Sequence, residues 1–273
     1  MNSKSLPKIK DILSQSNFKI KKSFGQNFLF DLNLTNKIVK KSIPFAKTVI
    51  EIGPGPGALT RSILDNGMKN LYVIEKDIKS IQLLDTLQKL YSNELNIIQA
   101  DALKFPFWNL GTYPRQIIAN LPYNISTKFL IILLKNIKHF NKLTLMFQKE
   151  VAKRLTAKPN SKYYGRLSIL MSLLTESKIL FDIPNTAFIP KPKVLSSVIE
   201  IIPLTRPKYK FKFENIEKIT QLTFSKRRKM LRTIFKNYGG DLMLNNLGIS
   251  SNKRPEDLTD IEFCKLSEKV YKS

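Results

Sequence analysis

The chain has 273 residues, 42% of them hydrophobic, enough to bury a full core and leave room for a small second domain. Its 46 Lys and Arg against 21 Asp and Glu give a net charge of +25, which points first to nucleic acid as a partner, although a Lys-, Ile- and Asn-rich composition also inflates charge without any binding role. A single cysteine, Cys264, and a single histidine exclude an internal disulfide framework and the usual zinc ligand sets, so no metal is expected.

The longest apolar run, residues 129–134, falls far short of the roughly 20 residues that span a bilayer. The N-terminal stretch mixes Lys4, Lys8, Lys10 and Asp11 into short apolar pieces, with neither a secretory apolar core nor an Arg-rich transit character. A protein of the reducing cytoplasm, with no membrane partner, is expected.

In chain order, β-rich runs at 48–52, 71–74, 96–100 and 116–119 alternate with longer helical patterns, the texture of a parallel α/β sheet. The first run leads directly into Gly53-Pro54-Gly55-Pro56-Gly57 and a helical stretch at 58–66. Glycine there lets a ligand approach the backbone without a Cβ in the way. Taken alone, such a turn is ambiguous between a tight structural turn, a dinucleotide site and a methyl-donor site.

Its neighbours narrow the choice. Glu75 ends the second run, about twenty residues past the first glycine, where a carboxylate can accept both hydroxyls of an adenosine ribose. In the helix that follows, Ile78, Ile81, Leu84 and Leu87 predict one apolar face against the sheet, with Asp77 suited to its N-terminal end. Asp101 stands just after the third run, placed to accept from an adenine amine. A further polar signature closes the fourth run, for which a dinucleotide fold gives no reason.

That signature is Asn120-Leu121-Pro122-Tyr123, which has the form of an Asn-x-Pro-Tyr amino-methyltransferase motif. In isolation it is an ordinary strand-exit turn. After the preceding constellation it has a chemical reading, because the adenine N6 lone pair is delocalised into the ring and attacks a methyl sulfonium poorly. Two carbonyl acceptors on its hydrogens, the Asn120 side-chain oxygen and the Leu121 backbone carbonyl, favour a pyramidal and more nucleophilic nitrogen. Pro122 holds the turn, and the Tyr123 ring offers a stacking face for an extruded base. The donor carries its own leaving group, so positioning does most of the catalytic work.

Three more strand-like runs, 143–147, 177–181 and 194–202, are separated by helical patterns at 150–157 and 166–172, so the sheet can reach seven strands. After Pro203 the texture becomes helical, which places a boundary near residue 204. Phe224, Leu231, Ile234, Leu244, Leu247, Ile261 and Leu266 are the expected core of a small helical domain. The run Ser225-Lys226-Arg227-Arg228-Lys229, followed by Arg232, opens that domain, and a helix there would turn several cations toward phosphates. Lys149, Lys153, Arg154 and Arg166 are candidates to extend the same surface, while charge runs are also commonly no more than solvated faces.

Six blocks in order carry a resemblance over nearly the whole chain: Phe24-Gly25-Gln26-Asn27-Phe28-Leu29, Glu51-Ile52-Gly53-Pro54-Gly55, Asn120-Leu121-Pro122-Tyr123-Asn124-Ile125-Ser126, Gln148-Lys149-Glu150-Val151, Tyr164-Gly165-Arg166-Leu167-Ser168 and Phe188-Ile189-Pro190-Lys191-Pro192-Lys193-Val194. They resemble the ribosomal RNA adenine dimethyltransferase family. The resemblance implies a Rossmann-like seven-stranded methyltransferase core at 1–203, an all-helical domain that binds rRNA at 204–273, and S-adenosyl-L-methionine as methyl donor. Carried over position by position, it implies that Asn27, Leu29, Gly53, Glu75, Asp101 and Asn120 hold the donor. Asn120, Leu121, Pro122 and Tyr123 would act on the base, with Phe188 as its second aromatic face. Lys226, Arg227, Arg228, Lys229 and Arg232 would bind RNA, with Lys226 standing where a Gln is commoner in the family.

The resemblance further implies a monomer that dimethylates N6 of two adjacent adenines in the 3′-terminal hairpin loop of 16S rRNA, within the immature small ribosomal subunit. Two other readings stay open: a macrolide-resistance type enzyme acting on 23S rRNA, and a ribosome assembly factor in which methylation is secondary.

Overall fold

The computed structural model describes residues 27–271; Phe24, Gly25 and Gln26 of the first block and the N-terminal lysines lie outside the described residues. Seven strands form one sheet: β2 (Thr48–Ile52), β3 (Leu71–Glu75), β4 (Leu95–Gln99), β5 (Arg115–Asn120), β6 (Lys142–Gln148), β7 (Thr175–Ile183) and β9 (Ser196–Pro203). Their order is β4-β3-β2-β5-β6-β9-β7. A separate two-stranded pair joins β1 (Phe28–Leu29) to β8 (Phe188–Ile189), with Leu29 opposite Phe188.

The five strands from β4 to β6 are parallel, and β2 is buried at all five positions, as expected of a strand covered on both faces. The alternation of the first four runs predicts a parallel α/β sheet, and those strands are parallel. Beyond them, β9 pairs antiparallel to β6 with Gln148 opposite Ser196. β7 and β9 are separated by only a short segment, so no crossover helix is available to bring the chain back in parallel. The Rossmann-like seven-stranded core is as expected.

Helices α1 (Leu32–Ser42), α2 (Ala58–Asp65), α3 (Ile78–Leu90) and α4 (Tyr123–Lys135) accompany the parallel strands. Asp31 caps α1 by accepting from the Asn33 and Leu34 amides. In α3 the buried stripe is Ser80, Leu83, Leu84 and Leu87, while Ile78 is 48% exposed. Residues spaced by three drift around a helix of 3.6 per turn, and the stripe that stays in register uses spacings of three and four. Asp77 stands at the start of α3 without bonding its end amides through its side chain.

Strand order reverses between β2 and its neighbours β3 and β5, since the chain moves outward to β4 and then returns to the other side. In open α/β sheets the crevice outside the carboxyl ends at such a point receives ligands. The turn after β2 therefore faces a ready-made cleft.

The chain divides into two compact units. The described residues up to Lys149 group with Lys178–Pro203, and Glu150–Ser177 groups with the described residues from Leu204 onward. After α5 (Lys149–Leu155), α6 (Arg166–Leu174) packs on α7 (Phe213–Phe224) and α10 (Asp260–Val270) in the second unit, which draws residues 150–177 toward the C-terminal segment; α8 (Leu231–Ile234) and α9 (Gly240–Asn246) follow α7 and pack on each other. Thr259 and Glu262 form a reciprocal cap that starts α10.

Of the expected core of this unit, Leu231, Ile234, Leu244 and Leu266 are buried, whereas Phe224 and Leu247 are only partly covered and Ile261 is 40% exposed. Phe263, two residues after Ile261 on α10, takes the interior position and stacks on Phe224. The Tyr164 hydroxyl donates to the Leu258 carbonyl at 3.0 Å, tying the 150–177 segment to the residues before α10. Among the described residues no helix is long and apolar enough to cross a membrane.

Candidate active site

Strand tips and the turns that follow them enclose a cavity of about 250 Å³ at the crevice between β2 and β5. Asn27, Leu29, Gly53, Glu75, Asp101 and Asn120 all line it. They come from the β1 strand and the residue before it and from the ends of β2, β3, β4 and β5, so the parallel register of the sheet is what gathers them.

Gly53 sits at φ +66°, and its amide donates to the Ile74 carbonyl at 2.9 Å, holding the turn against β3. Gly55 sits at φ +52°, and a Cβ there would lie 2.4 Å from the Phe28 ring. An L-residue in this left-handed region costs roughly 1–2 kcal/mol even without that clash. The glycines thus keep the turn tight against β1, and Gly53, Pro54 and Pro56 of that turn line the cavity.

Glu75 is 8% exposed, and its carboxylate accepts three backbone amides: Lys76 at 2.7 Å and Asp77 at 2.9 Å on one oxygen, Gly55 at 3.3 Å on the other. Burial pushes its pKa up, and these amides oppose the shift. The result is a carboxylate fixed in direction at the cavity wall. Asp101 behaves oppositely: the bond from the Lys76 ammonium at 2.9 Å, then the Leu103 amide at 3.0 Å, hold its carboxyl below the usual range. It stays an anion and an acceptor.

Glu51 also lines the cavity, 1% exposed within β2, and accepts from the Thr60 hydroxyl at 2.7 Å. Desolvation raises its pKa to about 8. The motif block that contains Glu51 assigns it no role. Its one signal in the sequence is that of a lone charge in an otherwise apolar strand run.

The motif after β5 splits into two sides. The Asn120 side-chain nitrogen donates to the Asn27 carbonyl at 3.1 Å, which leaves Oδ1 as the acceptor end of the amide. Pro122 lines the cavity and precedes the first residue of α4. Leu121 turns its side chain inward, 1% exposed, so only its backbone serves the site. Tyr123 is half-buried and lies off the cavity lining, its hydroxyl 2.5 Å from Ser196 Oγ at the start of β9. Phe188 is 2% exposed, packed in the core cluster with Leu29 and Val198, and does not line the cavity.

A family model described as ribosomal RNA adenine dimethylase matches residues 17–272. The chain belongs to this family. A dimethylase of this kind takes its methyl groups from S-adenosylmethionine and places them on adenine in ribosomal RNA. Among similar proteins is "Ribosomal RNA small subunit methyltransferase A" of Paramagnetospirillum magneticum, 42% identical over 96% of this chain and 94% of its own. Its namesake from a Wolbachia of Drosophila simulans is 47% identical over 92% of this chain and 94% of its own. A dimethyladenosine transferase from Plasmodium falciparum superposes with a TM-score of 0.74 at 26% identity, covering 86% of this chain and 94% of the other. The 23S rRNA methyltransferase ErmE shares the fold, with a TM-score of 0.67 at 21% identity over 89% of this chain and 99% of its own.

The residues of this dimethylase fit its donor. A tight turn through Gly53, two carboxylates on successive strand ends and an amide at a third match a nucleoside with a charged tail.

In the helical unit, the basic run of the dimethylase differs from expectation. α7 ends at Phe224, and residues 225–228 form turns, with the Lys226 amide donating to Thr223 and that of Lys229 to Lys226. Only Arg232 is helical, in α8 (Leu231–Ile234). Ser225 bonds back to the Leu222 carbonyl at the end of the helix. Lys226, Arg228, Lys229 and Arg232 are exposed, whereas Arg227 pairs with Glu256 at 2.7 Å and donates to the Lys162 carbonyl at 3.1 Å. Of the cations offered as an extension, Lys149 pairs with Asp182, Arg154 with Glu150 and Arg166 with Glu217. Lys153 lies 5.0 Å from the Tyr163 ring centre.

Proposed function

We propose that this dimethylase modifies N6 of two adjacent adenines in the 3′-terminal hairpin loop of 16S rRNA, acting in the cytoplasm as a monomer on the immature small subunit. The relatives described above, named for the small subunit and matched along almost their whole length, support that target. The observation that carries the enzymatic reading is the single cavity into which Gly53, Glu75, Asp101 and Asn120 all open.

Bound there, S-adenosylmethionine supplies an electrophilic methyl with a built-in leaving group. Glu75, its two oxygens fixed by three amides, accepts the ribose hydroxyls. Asp101 accepts from the adenine amine of the donor while Lys76 keeps it ionised. Asn27 and Leu29 close over the methionine end, and the Asn27 carbonyl sets the Asn120 amide so that Oδ1 faces incoming N–H.

On the acceptor side, Asn120 Oδ1 and the Leu121 carbonyl take the two N6 hydrogens of the target adenine and direct its lone pair at the methyl. Tyr123 supplies a face for the extruded base, an interaction of about 1–3 kcal/mol that offsets part of the unstacking cost. Phe188 serves as the second face once the base displaces its present packing. The exposed cations Lys226, Arg228, Lys229 and Arg232 hold rRNA phosphates, and Arg227 braces their turn through Glu256.

Purified protein given methyl-labelled donor and unmodified small subunits should place label on two neighbouring adenines of that loop, recovered as dimethyladenine. Preferential label on large-subunit rRNA overturns the choice of target. Tight binding of subunits without transfer would favour an assembly factor instead.

A further inference from the structure

Tyr123 and Ser196 form a hydrogen bond that neither the motif nor the cavity accounts for. Tyr123 begins α4 directly after the motif proline, and its phenol reaches across to Ser196, whose Oγ lies 2.5 Å away on β9. The two residues are 73 positions apart, and in sheet order β6 lies between β5, which leads into Tyr123, and β9, which carries Ser196. Ser196 is fully buried and stands opposite Gln148, the last residue of β6, so its hydroxyl is held at a fixed place in the sheet. Its neighbour Ser197 donates to Asp182 at 2.6 Å, and Asp182 pairs with Lys149, which pins the start of β9 from its other side.

A stacking residue works only if its ring plane is set before the base arrives. The first residue of a helix has little packing to fix its ring, and Tyr123 is only half-buried. The burial around its hydroxyl raises the phenol pKa, with the Ser196 bond opposing that shift, so the group stays a neutral hydrogen-bonding partner. Asn120, Pro122, Asn124 and Ile125 line the cavity on either side of Tyr123 in the chain, while Tyr123 and Ser196 do not, so the hydroxyl bond ties the ring to β9 next to the residues that form the site.

We propose that Ser196 is a positioning residue for methyl transfer, fixing the plane of the Tyr123 ring through its hydroxyl. It rests on the reading of the Asn120 motif as the acceptor site and adds the element that orients its aromatic face. Orientation acts on the reacting complex and leaves donor binding alone, since neither residue lines the cavity.

The test is a double-mutant cycle on the intact protein with Ser196→Ala, Tyr123→Phe and the double variant, assayed on unmodified small subunits. Each single variant should lower kcat by about three- to tenfold, the effect of losing one well-placed hydrogen bond. The donor KM should be unchanged, and the double variant should be no slower than the slower single one. Effects that multiply, a wild-type rate in either single variant, or a raised donor KM would overturn the proposal, since the bond would then be uncoupled, dispensable or tied to donor binding. Asn120→Ala is run alongside. If it transfers at the wild-type rate, the acceptor-site reading itself fails, whereas an inactive Asn120→Ala with no coupling between Ser196 and Tyr123 removes the positioning role alone.

Discussion

Glu51 stands among Thr, Val and Ile in the fully buried strand β2, where its carboxyl accepts from the Thr60 hydroxyl. Removing a carboxylate from water without a cation disfavours its charge, and the negative field of Glu75 adds to the effect. Its folded pKa, about 8, lies above the ordinary carboxyl value near ~4.3, so between these two values the native state keeps a proton that the unfolded chain has lost. The stability this group contributes is complete below the unfolded value and is lost as pH rises through the folded one. Glu51→Gln should therefore gain on the parent protein as pH rises from 5 toward 8, by several degrees in Tm, since about 1 kcal/mol moves a chain of this size by roughly 2–4 °C. Thermal melts of both proteins across that range check this, and a constant difference would mean that Glu51 is ionised throughout.

At the scale of elements, the strands that carry the site were readable because each is a short β-rich run that ends in a chemically distinct residue: Gly53, Glu75, Asp101 and Asn120 follow directly from that pattern. What stayed hidden depends on pairing between distant segments. The Asn27 carbonyl on Asn120, the β1–β8 pair that buries Phe188, and the reach of Ser196 to Tyr123 leave no local trace in periodicity. The basic run is not a helix either: α7 ends at Phe224 and residues 225–228 form turns.

This turn has a measurable consequence. Replacing Arg228, Lys229 and Arg232 together by Ala should weaken rRNA binding and flatten its dependence on salt, with the slope of log K against log[salt] falling by about 0.7–0.9 for each phosphate that is no longer neutralised. Filter binding over a salt series reads that slope. An unchanged slope would assign the run to a solvated face.

For the whole molecule, the sequence indicates seven strands but not their order, and the order creates the cleft. Parallel pairing of β2 with both β3 and β5, and of β3 with β4, brings four strand ends to one point, while the antiparallel return of β9 beside β6 brings Ser196 next to the motif from a segment far along the chain. The surplus of +25 charges belongs to this scale too, because it raises the local concentration of any polyanion without choosing among sequences. Selectivity then rests with the pocket.

The central claim is that one pocket at the strand ends holds the methyl donor, and calorimetric titration of S-adenosylmethionine into the purified protein tests it most directly. Wild type should bind one donor per chain, and Glu75→Ala should weaken it by at least about tenfold, the loss of a charged acceptor for two hydroxyls. Equal donor affinity in the wild type and in Glu75→Ala would contradict the account.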